Sequence, residues 1–263
     1  MTILYVERTR RGAVDTVTIC RPDVHNAFNE HVITQLAAAF EEVRESESTR
    51  VVVLAGQGPS FSAGADLDWM RRAAAFSEDE NRRDAVALAA MLRAVAECPC
   101  PVVARVQGNA FGGGAGLAAA SDIVVAGESA RFAFTEVRLG LVPATIARHV
   151  IRKIGPGRAL PLFLTGERIG AEQARSIGLV HSVVADADLD AAVSATVDAL
   201  LLGGPQALRR CKELARRFDD HGGDVDEYAA RLIAQVRAGD EGREGVAAFL
   251  EKRKARWVDE RDV

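Results

Sequence analysis

The residues of this chain best suited to chemistry are one carboxylate in an apolar setting and two runs of small residues where packing ordinarily asks for large ones. The carboxylate is Glu136, in Arg131-Phe132-Ala133-Phe134-Thr135-Glu136-Val137-Arg138-Leu139-Gly140. Two readings of it stand level: a surface ion pair with Arg131 or Arg138, or a desolvated group whose raised pKa suits acid or base work near neutrality. The small-residue runs are Ser60-Phe61-Ser62-Ala63-Gly64-Ala65-Asp66-Leu67 and Gly108-Asn109-Ala110-Phe111-Gly112-Gly113-Gly114-Ala115-Gly116-Leu117. The second leads into Ala118-Ala119-Ala120, so its glycines precede or begin a helix whose free N–H groups can receive a developing negative charge. Glycine there also lets a ligand approach the backbone closely. Each run alone reads as a tight turn at a crowded strand end; the pair, separated by one strand-helix-strand unit, is a more specific signal.

Simpler motifs fail. The run from Gly112 misses GxGxxG because Leu117 stands at its sixth position, no Gly-Lys-Ser/Thr makes a phosphate loop, and Ser60 stands where a nucleophile elbow needs glycine. The five histidines show no metal-ligand spacing and read as surface or helix-end residues, while Cys98-Pro-Cys100 lacks the spacing and second half of a zinc site. The four cysteines are expected to be buried or inert thiols, and no metal or redox cofactor is expected.

The elements that must position these residues follow from periodicity. Residues 3–8 and 14–20, rich in Val, Ile and Thr and split by Arg10-Arg11-Gly12, predict an antiparallel hairpin. Val32, Ile33, Leu36, Ala39 and Phe40 recur at helical spacing over 29–43, with Asn29 or Asn26 as cap. Apolar runs at 51–56, 102–108 and 123–127 each end at glycine and predict buried strands, with a long helix between the first two ending near Glu97. From about residue 187 only helical patterns remain, at 188–201, 205–217, 225–237 and 243–255, punctuated by Gly203-Gly204-Pro205 and Gly222-Gly223. The order predicts an α/β core over 1–200 and a helical region over 201–263 that docks on the core or on a neighbouring subunit.

A chain of 263 residues, 48% hydrophobic, buries a large core, and its formal net charge of −4 supplies no global field for nucleic acid or an anionic membrane. The N-terminus reads as a strand rather than a signal segment and no stretch is apolar enough to span a bilayer, so a reducing compartment, most simply the cytoplasm, is expected.

Arg21-Pro22 through Asn26-Ala27-Phe28, Phe61 to Leu67, Gly108 to Gly116, Thr135-Glu136 through Gly140-Leu141-Val142-Pro143, and Phe249-Leu250-Glu251-Lys252-Arg253 together resemble the crotonase, or enoyl-CoA hydratase/isomerase, superfamily over essentially the whole chain. The resemblance implies an α/β ββα superhelix with a C-terminal helical trimerisation region, and a homotrimer or a dimer of trimers. It implies that the Ala65 and Gly113 N–H groups hold a thioester oxygen and that Glu136 is the catalytic carboxylate. It further implies that Ala65, Asp66, Leu67 and Asp68 line the pantetheine path and that the backbone at Asn26 and Ala27 meets the adenine. Phe249 and Lys252 would reach a CoA on an adjacent subunit.

CoA would be part of the substrate, and adding water to a 2-enoyl-CoA would place charge where fixed donors stabilise it. Two positions depart from the common pattern: Gly116 stands where many hydratases carry a second glutamate, and Asp68 where some carry lysine. The motif details look most like the bacterial methylglutaconyl-CoA or carboxygeranoyl-CoA hydratase branch. A substrate with a second carboxylate would need a cation, with Arg71, Arg72, Arg138 and Arg148 as unranked candidates. Asp66 is the fallback proton carrier should Glu136 prove structural. The competing expectations are a double-bond isomerase or thioester hydrolase on the same scaffold, and a non-catalytic binding protein.

Overall fold

The computed structural model describes residues 3–219 and 225–258, the side chains of 218 and 219 excepted; Gly222-Gly223 and His221 lie outside the described residues. The chain opens with a hairpin, β1 (Val6–Arg11) and β2 (Val14–Ile19), followed by α1 (Glu30–Glu45) and β3 (Val51–Gly56). Then come α2 (Leu67–Ala73), α3 (Glu78–Ala96), β4 (Val102–Val106), β5 (Asn109–Phe111), α4 (Gly113–Ala120), β6 (Ile123–Gly127) and β7 (Arg131–Ala133). The remainder is α5 (Ala144–Ile154), α6 (Pro156–Thr165), β8 (Arg168–Gly170), α7 (Ala171–Ser176), β9 (Ser182–Val184), α8 (Leu189–Leu201), α9 (Pro205–Asp219), α10 (Val225–Ala238) and α11 (Asp240–Leu250).

β1 and β2 pair antiparallel, and β2, β3, β4, β6 and β9 continue as a parallel sheet; β5, β7 and β8 make a smaller second sheet. Successive units therefore contribute one strand to each sheet before a helix returns: β4 and β5 precede α4, and β6 and β7 precede α5. This is the ββα spiral that the resemblance implies. β3 is buried along its whole length, as expected of a strand covered on both faces. One face packs under α1, α3 and α4 in the main core, and α8 covers the other through Val193, Val197 and Leu201.

Local signals act as read at several ends. Asn29, not Asn26, caps α1, its side chain accepting from the Val32 N–H at 3.0 Å. Asn26 instead sits at φ +56°, fully buried. The hairpin turn is shifted: β1 runs through Arg10 and Arg11, because both arginines stay paired across the ladder and only Gly12, at φ +58°, and Ala13 turn. Short strands β5, β7, β8 and β9 went unread, since three residues carry no period. The last helix also differs from the expected 243–255. It ends at Leu250, and the chain reverses at Lys252 (φ +54°), where Arg253 N–H reaches Ala248 O and its guanidinium pairs with Glu244 at 2.6 Å. Lys252-Arg253-Lys254 thus lies in a turn beyond the helix. Cys98 and Cys100 are buried, as expected, whereas Cys20 is half-buried and Cys211 is exposed. His181 is exposed, as expected, and its Nδ1 accepts the Val124 N–H, tying β6 to the segment before β9. No single helix among the described residues is long and apolar enough to cross a membrane.

Candidate active site

The two small-residue runs meet in the tertiary structure. Ser62 pairs with Ala110 as an isolated bridge: its N–H donates to Asn109 O at 3.0 Å and its carbonyl accepts from Phe111 at 3.0 Å. Gly64, at φ +90°, packs so tightly that a Cβ there would lie 2.8 Å from Phe111 O and 3.7 Å from Gly112 Cα. Only glycine fits. The residues that follow these two glycines, Ala65 and Gly113, thereby come side by side. Among the described residues neither Ala65 N–H nor Gly113 N–H donates a hydrogen bond, although the adjoining Asp66 N–H reaches Phe28 O at 2.8 Å and Gly112 N–H reaches Ala133 O at 2.8 Å. Gly113 is the first residue of α4, so its free N–H stands at the positive end of a helix.

Glu136 lies against Gly112, the residue before Gly113. A Cβ at Gly112 would stand 3.3 Å from its Oε1, and its Oε2 is buried with no hydrogen-bond partner. Burial pushes its carboxyl above the ordinary glutamate range, with only its own backbone N–H opposing. The desolvated reading therefore holds over the ion pair: Arg131 is spent on the carbonyls of Ser129 and Ala130, and Arg138 on Thr165 O. Two unclaimed N–H donors beside a desolvated acid are the parts needed to stabilise an oxyanion and move a proton.

A sequence model of the enoyl-CoA hydratase/isomerase family matches residues 9–260. The chain belongs to this family. The 2,3-dehydroadipyl-CoA hydratase of Escherichia coli is 35% identical over 96% of this chain and 97% of its own length. The crystal structure of an enoyl-CoA hydratase from Shewanella pealeana superposes with a TM-score of 0.93 at 38% identity, covering 97% of this chain and 96% of that one. That of an enoyl-CoA hydratase from Mycobacterium smegmatis gives 0.91 at 34% identity, covering 98% and 100%.

Within this enoyl-CoA hydratase/isomerase chain, the departure at Gly116 has a packing cause. A Cβ at Gly116 would lie 2.3 Å from Ile146 Cγ2, so the space a second glutamate would need is filled by α5. Asp66 does not qualify as a substitute acid. Its carboxylate caps α2 through the Asp68 and Trp69 N–H groups and pairs with Arg21 at 2.8 Å. Burial alone would raise its pKa, but those donors outweigh burial and hold it below the usual range.

The remaining site residues sit as follows. Leu67 is 69% exposed at the mouth of α2, and Asp68, also exposed, pairs with Arg71. Asn26 and Ala27 are buried, and their groups are claimed: Asn26 Nδ2 by Gln57 O and Ser60 O, Ala27 O by Arg21 at 2.6 Å. Only second lone pairs on their carbonyls remain for a ligand. Phe249 is 82% exposed on α11, with Lys252 beside it in the turn. Sequence reasoning missed the supports. Phe28 lies between Gly64 O and Asp66 N–H with its ring where a Gly113 side chain would go, Arg21 braces Asp66, and Ile146 fills the Gly116 hollow. Arg21 and Phe28 stood in a family-like motif, but nothing in their types announced these roles.

Proposed function

We propose that this chain is an enoyl-CoA hydratase adding water across the 2,3-double bond of a CoA thioester, with a branched substrate such as 3-methylglutaconyl-CoA. The observation that carries the reading is the unpartnered Glu136 Oε2 beside the free N–H groups of Ala65 and Gly113. The thioester oxygen binds those two donors. Glu136 takes a proton from water as its oxygen attacks the β-carbon, the enolate charge rests on the thioester oxygen, and the same carboxyl returns a proton to the α-carbon. One acid thus serves both transfers. CoA enters as part of the substrate along Ala65, Asp66, Leu67 and Asp68, with Phe249 and Lys252 of a neighbouring subunit completing its site in a trimer or a pair of trimers.

A second reading, double-bond isomerase, is favoured by the Ile146 plug, because carrying one proton between the α- and γ-carbons needs a single carboxylate. Product analysis separates the two. Incubation with crotonyl-CoA, 3-methylglutaconyl-CoA and a 3-enoyl-CoA is expected to yield 3-hydroxyacyl-CoA from the first two. A shifted double bond without added water would replace hydration by isomerisation, and free CoA would indicate hydrolysis.

A further inference from the structure

Two backbone N–H groups can act on one oxygen only if something fixes each of them, and a trans peptide ties each N–H to the carbonyl of the residue before it, pointing the opposite way. For Ala65 that carbonyl is Gly64 O, which accepts the Phe28 N–H at 2.6 Å. Beyond Ala65, the Asp66 N–H donates to Phe28 O at 2.8 Å, so Phe28 and Ala65 form a parallel bridge. Both peptide neighbours of Ala65 are thereby turned toward Phe28. Ala65 N–H is turned away from it.

Gly113 is held by the same residue in another way. The carbonyl of its peptide unit, Gly112 O, accepts the Gly116 N–H at 2.9 Å, which aims Gly113 N–H out of the start of α4. This sets its direction along the helix, but a glycine offers no side chain by which its sideways position could be held. A Cβ on Gly113 would stand 3.0 Å from both Cδ2 and Cε2 of Phe28. Among the described residues no other group comes within 4 Å of that point, the chain neighbours and the backbone of α4 aside. The ring is itself immobilised, since Phe28 is 1% exposed in the main core and stands between buried Ala27 and Asn29, the cap of α1.

We propose that Phe28 is the positioning residue for both donors, setting Ala65 N–H through its backbone and Gly113 N–H through its ring, so that one residue fixes their separation. The proposal rests on the hydratase reading, in that a thioester oxygen binds to these two N–H groups. Donors stabilise an oxyanion when they stand about 2.7–3.1 Å from where its charge develops. Supports that let them drift by more than about 0.5 Å forfeit part of that effect. Charge on the oxygen grows between bound substrate and transition state, so drift lowers kcat more than it weakens binding. A residue that merely filled the core would change stability and leave the turnover of folded molecules alone.

The test uses Phe28→Leu in the full chain, with Phe28→Met as a second variant closer in volume; both keep an apolar side chain and the backbone bonds but lack the ring edge. Two readouts are taken: kcat and KM per folded molecule with crotonyl-CoA, and the infrared band of the thioester carbonyl in bound 3-hydroxybutyryl-CoA, isotope-labelled at that carbon. In the wild type the band is expected at lower frequency than in water, because two fixed donors draw electron density onto the oxygen. A folded variant should lose about tenfold or more in kcat with KM changed by less than about twofold, and its band should move back toward the position in water. A folded variant with unchanged kcat, or with a lower kcat but the wild-type band, overturns the positioning role and leaves the hydratase reading standing. A wild-type band that does not move on binding overturns that reading, and the proposal with it.

Discussion

Glu136 shows how a site can be made from what surrounds a residue. Its neighbours Arg131 and Arg138 are turned to backbone carbonyls, so the carboxylate faces the hollow over Gly112 with one oxygen unpartnered. That arrangement carries a cost in stability whose sign can be checked. Burial raises the folded-state pKa above the unfolded value of about 4.3, so the folded chain binds this proton more tightly than the unfolded one. Stability from the group is therefore full below the unfolded pKa and is lost as pH rises through the folded value. Glu136→Gln should accordingly raise Tm near neutral pH and leave it nearly unchanged in acid, while lowering kcat by at least about 10²-fold with thioester binding retained. Thermal melts at two pH values and a binding isotherm with a CoA product decide it; an unchanged kcat would make Glu136 structural.

At the scale of elements, α4 is the piece on which the chemistry depends. Its N-terminus leaves Gly113 N–H free for the proposed oxyanion site, and at its other end the Lys153 ammonium donates to Ser121 O and, at 3.5 Å, to Ala119 O. A cation at the negative end of the helix complements the anion that the proposed reaction would form at the positive end. Burial, offset in part by Asp122, brings the Lys153 pKa down to about 8. Along its length α4 is glycine-rich because neighbours press on it: Phe28 on Gly113, Ser62 on Gly114, Ile146 on Gly116. Restoring a second glutamate by Gly116→Glu should therefore destabilise the fold by about 1–3 kcal/mol or more through overpacking and should not increase hydration. Adding Ile146→Gly should recover much of the stability, a non-additivity that chemical denaturation of the four species measures. Simple additivity would mean that Ile146 is not the obstacle.

The whole molecule presents a core well closed on itself and a tail that is not. After Pro205 the buried hydrophobic residues among those described are Leu232 and Ala248, while Val246, Phe249 and Leu250 are 59%, 82% and 72% exposed. Polar links hold the tail to the core: Arg50 donates to the carbonyls of Leu201, Gly203 and Trp257, and Lys212 to Cys100 O and Asp122. Near the active site Leu141 and Val142 are also open, at 54% and 74%. Apolar surface on both the tail and the segment after Glu136 suits a partner surface, which in the proposed trimer a second and third copy would supply. Sedimentation should give a mass that is a multiple of three times 28.1 kDa. Phe249→Ser should raise KM for a CoA thioester more than it lowers kcat. A fully active monomer would overturn this assembly.

Type and spacing were enough for the hairpin, the Asn29 cap, the buried parallel strands and the helical tail, because these follow from local periodicity and capping that act within a few residues. They were enough, too, to single out the runs 60–67 and 108–117 and Glu136, since small residues after buried strands and an acid among apolar neighbours are visible in one dimension, whereas Ala65 and Gly113 within those runs were implied by the family resemblance. Whether Glu136 would be an ion pair or a desolvated acid was not visible. The answer lay in where Arg131 and Arg138 turned, and side-chain partners separated by a strand or a helix are chosen only when the elements pack. The same holds for Gly116, which reads as one more glycine until α5 sets Ile146 against it. The Gly116–Ile146 contact joins residues thirty positions apart and the Arg138–Thr165 bond twenty-seven, and their geometry comes from the packing of helices on one another rather than from any local preference of the chain.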